Sequence, residues 1–145
     1  MSEIVPPGRS RARYGEGVDS RLRQRYLAYI EVLNQRRFED LVGFVADHLT
    51  YNDRPMMRGD YQDLLRHDVE VIPDLYFDVD LLVVEGDRVA CRIRFDCTPE
   101  RPFLGFPATG RRIQFVEHVF YRFRDDLIVE VNSLIDREAI REQTG

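Results

Sequence analysis

The 145-residue chain contains no lysine: all 21 of its basic residues are arginine. Schiff-base catalysis, covalent attachment of pyridoxal phosphate and a phosphate-binding P-loop each require a lysine side chain, so all three are excluded. Serine is almost as scarce, occurring only at Ser2, Ser10, Ser20 and Ser133. None of these stands in a G-x-S-x-G elbow, which removes the hydrolase type of serine nucleophile. His48, His67 and His118 lack H-E-x-x-H spacing, and neither a metal nor a cofactor is expected. Cys91 and Cys97 lie in one alternating segment. At about 3.3 Å per residue they are ~20 Å apart, too far for a disulfide. They read as two buried apolar side chains in a reducing compartment. No apolar run is long enough to cross a bilayer, and the N-terminus offers only Ile4-Val5 in place of a signal-peptide core.

What is present is ordinary for a soluble globular protein: 43% hydrophobic, 32% charged and 11% aromatic residues. This length suits one domain that buries enough surface to fold without staples. The net charge of −5 argues against nucleic acid or an anionic membrane as partner. The expectation is a cytoplasmic, single-domain protein.

Residues 1–18, rich in Pro, Gly and Arg, read as a flexible tail, leaving 19–145 as the domain. Asp19-Ser20 offers a helix cap, after which Leu22, Tyr26, Ile30 and Leu33 recur at helical spacing. A shorter helix is predicted from Phe38 to Val45, with Phe38, Leu41, Val42 and Val45 on one side. A short strand follows over His48–Asn52, ended by Asp53-Arg54-Pro55, and a third helix over 59–72 carries Tyr61, Leu64, Leu65, Asp68 and Val69 on its face. The period then changes to two. Leu75, Phe77, Val79, Leu81 and Val83 alternate with polar residues, as do Val89, Cys91, Ile93, Phe95 and Cys97 after Glu85-Gly86-Asp87. A Pro- and Gly-containing loop over 99–110 precedes a strand of Phe115, Glu117, Val119, Tyr121 and Phe123. A fourth long strand, Leu127–Ile135, has Val129, Val131, Ser133 and Ile135 on one face, and a short helix follows Asp136. Helices followed by hairpins predict an α+β fold, with helices packed on one face of a curved, mostly antiparallel sheet.

One residue breaks the pattern. Glu117 lies on the apolar face of its strand, between Phe115 and Val119. A carboxylate there must be paired, exposed at a mouth, or protonated with a raised pKa. Two readings stay open: an ion pair with one of the arginines, or a general base or acid. Tyr51-Asn52-Asp53 closes the short strand with three polar-capable groups, which is also turn chemistry.

Several short patterns carry a family resemblance: Ile72-Pro73-Asp74, the loop Phe103–Arg112, and Phe120-Tyr121-Arg122-Phe123-Arg124-Asp125 followed by Ile128-Val129-Glu130. In these the chain resembles the SnoaL-like polyketide cyclases, within the nuclear-transport-factor-2-like superfamily, over residues 26–136. The resemblance implies a cone-shaped fold enclosing a pocket that closes rings by aldol chemistry without a cofactor. It also implies an acid–base pair of Asp on the last strand and His on the strand before it. Aligned on Phe123 and Ile128, those two positions hold Ser133 and Val119 here. Glu117 falls on a polar, pocket-facing position, and Asn52 matches an Asn at the end of the first strand.

The expected function is therefore a cofactor-independent cyclase or isomerase acting on a small apolar carbonyl compound. Glu117 serves as base, and Asn52 or Asp53 holds the enolate or returns the proton. Tyr26, Leu33, Tyr51, Tyr61, Leu65, Val119, Tyr121, Val131 and Ser133 form the pocket wall. The alternative is a non-catalytic protein of the same fold that binds a small ligand or a partner. Val116 and Phe120, beside Arg92, Arg94 and Asp96 on the opposite sheet face, predict a homodimer joined through that face.

Overall fold

The computed structural model describes the backbone of residues 9–145 and the side chains of residues 20–145. Helix α1 (Arg9–Asn34) is followed by a 3-10 helix (Phe38–Gly43), strands β1 (Val45–Tyr51) and β2 (Arg54–Met57), and helix α2 (Arg58–Val71). Strands β3 (Asp78–Glu85), β4 (Arg88–Cys97), β5 (Ile113–Arg124) and β6 (Leu127–Ile135) lead to helix α3 (Arg137–Thr144). The strands form one six-stranded sheet in the order β2-β1-β6-β5-β4-β3. Every pairing is antiparallel except β1 with β6, so the expected α+β architecture with a mostly antiparallel sheet is what the chain adopts. Among the described residues, no helix is long and apolar enough to cross a membrane.

The core lies between α1, α2 and the concave sheet face. Leu22, Tyr26, Tyr29, Ile30 and Leu33 recur every three or four residues along α1 and are all buried, as one stripe of a packed helix must be. Opposite them stand the inward residues of β4 and β5, in the alternation that the sequence predicts. The end of α1 is tied to the sheet by Asn34, whose amide donates to the Phe77 carbonyl at 3.1 Å and accepts from the Phe77 N–H at 2.8 Å. Arg25 ties α1 to the last hairpin: it donates to the carbonyls of Asp126 (3.0 Å) and Gly43, and lies 4.3 Å from the centroid of the Phe44 ring.

Five local expectations are corrected. Helix α1 is already helical at Arg9, so the cap expected at Asp19-Ser20 is not its start; residues 1–8 lie outside the described ones. Gly15 and Gly17, each about 1 kcal/mol worse than Ala in a helix, disguised that continuity. The second helix is only a six-residue 3-10 turn, with Val42 on the exterior and Val45 beginning β1. The first strand ends at this turn as expected, but Arg54 and Pro55 belong to a further strand that the sequence did not predict. Asn52 (φ 50°) and Asp53 (φ 68°) make a two-residue turn, and β2 returns along β1 as a hairpin. Pro55 is tolerated because β2 is an edge strand.

The remaining two corrections are bulges. The β3–β4 register passes from Val79↔Ile93 to Leu81↔Arg92, leaving Asp80 as an extra residue. Side chains beyond a bulge change faces. Leu82 and Val84 therefore turn inward, while Leu81 and Val83, predicted to be core, are 60% and 61% exposed. Asp80 itself pairs with Arg92 and Arg94. In β6 the extra residue is Val129, so Ile128 and Val131 occupy the core in its place.

Between β4 and β5, Phe103 and Phe106 exchange two backbone hydrogen bonds of 3.0 and 2.9 Å around Leu104 and Gly105. Gly105 has φ +84°, a conformation that glycine adopts at little cost. Helix α3, capped by the Asp136 carboxylate on the Ala139 N–H, holds this loop down. Arg137 donates to the Leu104 carbonyl at 3.0 Å, and Arg137 and Arg141 both lie over the Phe106 ring.

Candidate active site

Glu117 projects from the middle of β5 into the space between sheet and helices, flanked in register by Ile93 of β4 and Ile135 of β6. It faces a cavity of about 60 Å³. Much of its lining is aromatic. Phe77 meets Phe95 edge-on, and Phe115 lies between Phe95 and Phe103, with ring centroids 5.1 to 5.8 Å apart. The same lining carries the polar groups of Glu117, Asp68, Tyr51 and Tyr61.

Among the described residues, no arginine or histidine lines the cavity. Among the described residues, the partner of the Glu117 carboxylate is the Ser133 hydroxyl, which donates to Oε2. The ion-pair reading of Glu117 therefore does not apply. Its side chain is half-buried and lines the cavity. Burial pushes its carboxyl above the ordinary range, and the Ser133 hydrogen bond opposes that rise by favouring the anion.

Around it lies a set of buried phenols. The hydroxyls of Tyr29 and Tyr61 are 2.5 Å apart, and that of Tyr26 is 2.8 Å from the Cys91 sulfur. Tyr121 stacks between Tyr26 and Tyr29, at 4.9 and 5.8 Å. Burial raises the pKa of all four, and of Tyr51. They remain protonated donors throughout the physiological range.

Of the residues expected in the pocket, Tyr51, Tyr61, Leu65, Val119, Tyr121 and Val131 line the cavity with Glu117. Ser133 reaches it through Glu117. Tyr26 and Leu33 are fully buried behind the wall. Asn52 and Asp53 are not brought to the cavity. Both are exposed on the β1–β2 turn, and the Asn52 Oδ1 accepts the Ser133 N–H at 2.7 Å. Their side chains serve a turn that needs positive φ, and Asn52 clamps β1 to β6.

Sequence reasoning missed Asp68 as a site residue. It stands at the i+7 position from Tyr61 on the stripe shared with Leu65, so the signal was the same as for Glu117: a carboxylate on an apolar face. Burial, and secondarily the charge of Glu117, raise its pKa to about 7. Chemically, the arrangement joins a desolvated carboxylate, a carboxyl that titrates near neutrality, and phenolic donors around a small apolar space. Those are the parts required to move a proton on and off an apolar molecule.

The comparisons with known proteins agree with the fold. A SnoaL-like polyketide cyclase from Agrobacterium tumefaciens superposes with a TM-score of 0.83 at 44% identity, over 86% of this chain and 98% of its own. The candidate hydroxylase AclR from Streptomyces galilaeus (TM-score 0.74, 23% identity, 88% of this chain and 97% of its own) shares the fold. So does the candidate polyketide cyclase IdmH from Streptomyces antibioticus (TM-score 0.74, 23% identity, 84% and 96%). No curated protein matches the chain. Residues 23–144 match the family described as SnoaL-like polyketide cyclase, and the chain belongs to that family.

Proposed function

We propose that the protein is a cofactor-independent cyclase or isomerase acting on a small apolar carbonyl compound, with Glu117 removing a proton alpha to the carbonyl. The observation that carries this reading is a carboxylate aimed into an aromatic cavity that no cation of the described residues lines, with a hydroxyl as its partner. A desolvated carboxylate is a stronger base than a solvated one, and its pKa is drawn toward working pH.

The enolate that forms needs donors. Tyr51 and Tyr61 line the cavity as phenolic donors, and the Tyr61 hydroxyl also shares a hydrogen bond with that of Tyr29. This role passes to them from Asn52 and Asp53, which lie outside the lining. The family resemblance adds support. The positions it gives to the acid–base pair, Val119 and Ser133, are opposite each other across β5–β6. The Glu117 carboxylate is bonded to Ser133, so a carboxylate stands beside the position where the family carries its Asp. At about 60 Å³ the cavity is smaller than the ~150 Å³ that admits a benzene ring, so a ring-sized substrate enters by displacing wall residues. Phe103, on the loop between β4 and β5, is the wall residue held by the shortest element.

The test is turnover of small diketones and β-dicarbonyl compounds. Glu117→Gln lowers the rate about 10²- to 10⁴-fold. Unchanged turnover overturns the mechanism.

The second reading is a non-catalytic ligand-binding protein. It is favoured by Val119 and Ser133 at the two positions that the resemblance gives to catalysis. Under it, Glu117→Gln alters affinity and no chemistry is found. In either case we propose a cytoplasmic homodimer. Leu81, Val83, Phe120 and Leu134 are exposed on the outer sheet face around the Arg92–Asp80–Arg94 cluster, an apolar patch with a charged rim.

A further inference from the structure

Asp68 reaches the cavity from α2, whereas Glu117 reaches it from β5. With no arginine or histidine among the described lining residues to offset a second negative charge, this shared cavity disfavours ionisation of both carboxyl groups near neutrality. The pair therefore holds one proton. Hydrogen bonding decides where that proton resides. Glu117 accepts from the Ser133 hydroxyl, which favours its anion. Asp68 makes no side-chain hydrogen bond and no ion pair among the described residues. Arg66, two positions earlier, is engaged with Glu39 at 3.2 Å and Asp63 at 3.9 Å.

The other groups around Asp68 do not change this balance. Tyr61 on its own helix, Tyr51 of β1 and Tyr121 of β5 are phenols held neutral by burial. On the elements packed against α2, Asp40 of the 3-10 helix pairs with Arg37, and Asp47 of β1 pairs with Arg58. His48 of β1 and Arg54 of β2 are exposed and line no part of the cavity.

We propose that Asp68 is the acid partner of Glu117, holding the proton of the pair and delivering it to the carbonyl oxygen of the substrate. This role rests on the function proposed above. Glu117 takes a proton from the carbon alpha to the carbonyl, and the C–H electron pair becomes the enol double bond. The carbonyl oxygen takes the Asp68 proton, leaving Glu117 neutral and Asp68 ionised. Where a carbon–carbon double bond adjoins the alpha carbon of the substrate, the product is a dienol, and return of the Glu117 proton to its gamma carbon, with the enol proton returning to Asp68, completes an isomerisation. No electrons or protons are gained or lost overall. The rise of Asp68 to about 7 accords with an acid that is still protonated near neutral pH.

The test is a carbon-13 NMR titration of the side-chain carboxyl carbons, read without substrate and therefore independently of whether Glu117 is a base. In the wild-type protein the Asp68 carbon titrates near 7, and in Glu117→Gln its midpoint falls by about one unit or more as the neighbouring charge disappears. A wild-type Asp68 midpoint near the ordinary value of about 4, or a midpoint unmoved by Glu117→Gln, overturns the assignment even if Glu117→Gln abolishes turnover. Should Glu117→Gln fail to fold, Ser133→Ala supplies the second arm. Loss of the hydroxyl weakens the Glu117 anion, and the first proton of the pair leaves at higher pH; no movement overturns the proposal. With substrate, Asp68→Asn lowers kcat and removes the fall in rate above about pH 7, whereas a merely structural Asp68 leaves the shape of the profile unchanged.

Discussion

The Ser133 hydroxyl donates to the Glu117 carboxylate diagonally across β5–β6, while the Ser133 N–H is held by the Asn52 side chain at 2.7 Å. One small residue thus joins the β1–β2 turn to the base of the cavity. Its backbone is fixed by Asn52, and its hydroxyl reduces the cost of an anion buried among aromatic rings.

Removal of that hydroxyl has a defined direction. Ser133→Ala leaves burial unopposed, so the Glu117 carboxyl titrates at still higher pH than in the wild type. The hydroxyl stabilises the anion and not the neutral acid, so its loss moves the titration upward only. The Glu117 carboxyl carbon reports it, and Ser133→Thr, which keeps a hydroxyl, restores most of it.

Folding stability depends on pH in a corresponding way. Asp68 has a folded pKa of about 7, above its unfolded value of 3.8. Between those values the folded state binds more protons than the unfolded one, so stability present at low pH is lost as the pH rises through that window. Asp68→Asn removes this dependence. The variant is expected to match the wild type near pH 4 and to exceed it by on the order of 2–4 kcal/mol at pH 8, by urea unfolding. Asp80 acts in the opposite sense, held below the ordinary range by hydrogen bonds from Arg94 and Arg92, and it cancels because both proteins keep it. Parallel pH curves would show that Asp68 is unshifted.

Cys91 and Cys97 are buried, and burial pushes both thiols up to about 12. The thiolate is the reactive form, so the native protein at pH 8 is expected to resist an aromatic disulfide reagent, with both thiols reacting once it is unfolded. Rapid modification of either in the native state would contradict the packing of β4 against α1.

How far the sequence was legible follows from which residues obey a simple period. In β4 the alternation runs unbroken from Val89 to Cys97, and in β5 it runs from Ile113 to Phe123 with Glu117 as the residue that departs from it, which is why Glu117 stood out. The pattern failed where the backbone adds a residue. Asp80 bulges because its carboxylate can reach Arg92 and Arg94, a long-range contact that no local window contains. Asn52 and Asp53 were ambiguous because the residue types that hold oxyanions also make tight turns. Asp68 was visible on the α2 stripe, but its meaning depended on Glu117 arriving from a strand some fifty residues later in the chain.

The bulge at Asp80 also shapes the outer face, because it brings Leu81 and Val83 out beside Phe120. A dimer through this face is expected to sediment at about twice the chain mass at micromolar concentration. Phe120→Arg, at a position already 56% exposed, is expected to yield monomers with little loss of stability. A wild-type monomer would contradict the interface, and a dimer unaffected by Phe120→Arg would assign it to another face.

The most direct measurement of the central claim is exchange of the protons alpha to the carbonyl of small apolar ketones and diketones, followed by proton NMR in deuterated water. The wild-type protein is expected to accelerate loss of the alpha-proton signal over buffer alone, and Glu117→Gln, folded by circular dichroism, to return it to the buffer rate. Exchange by Glu117→Gln at the wild-type rate would contradict Glu117 as the base.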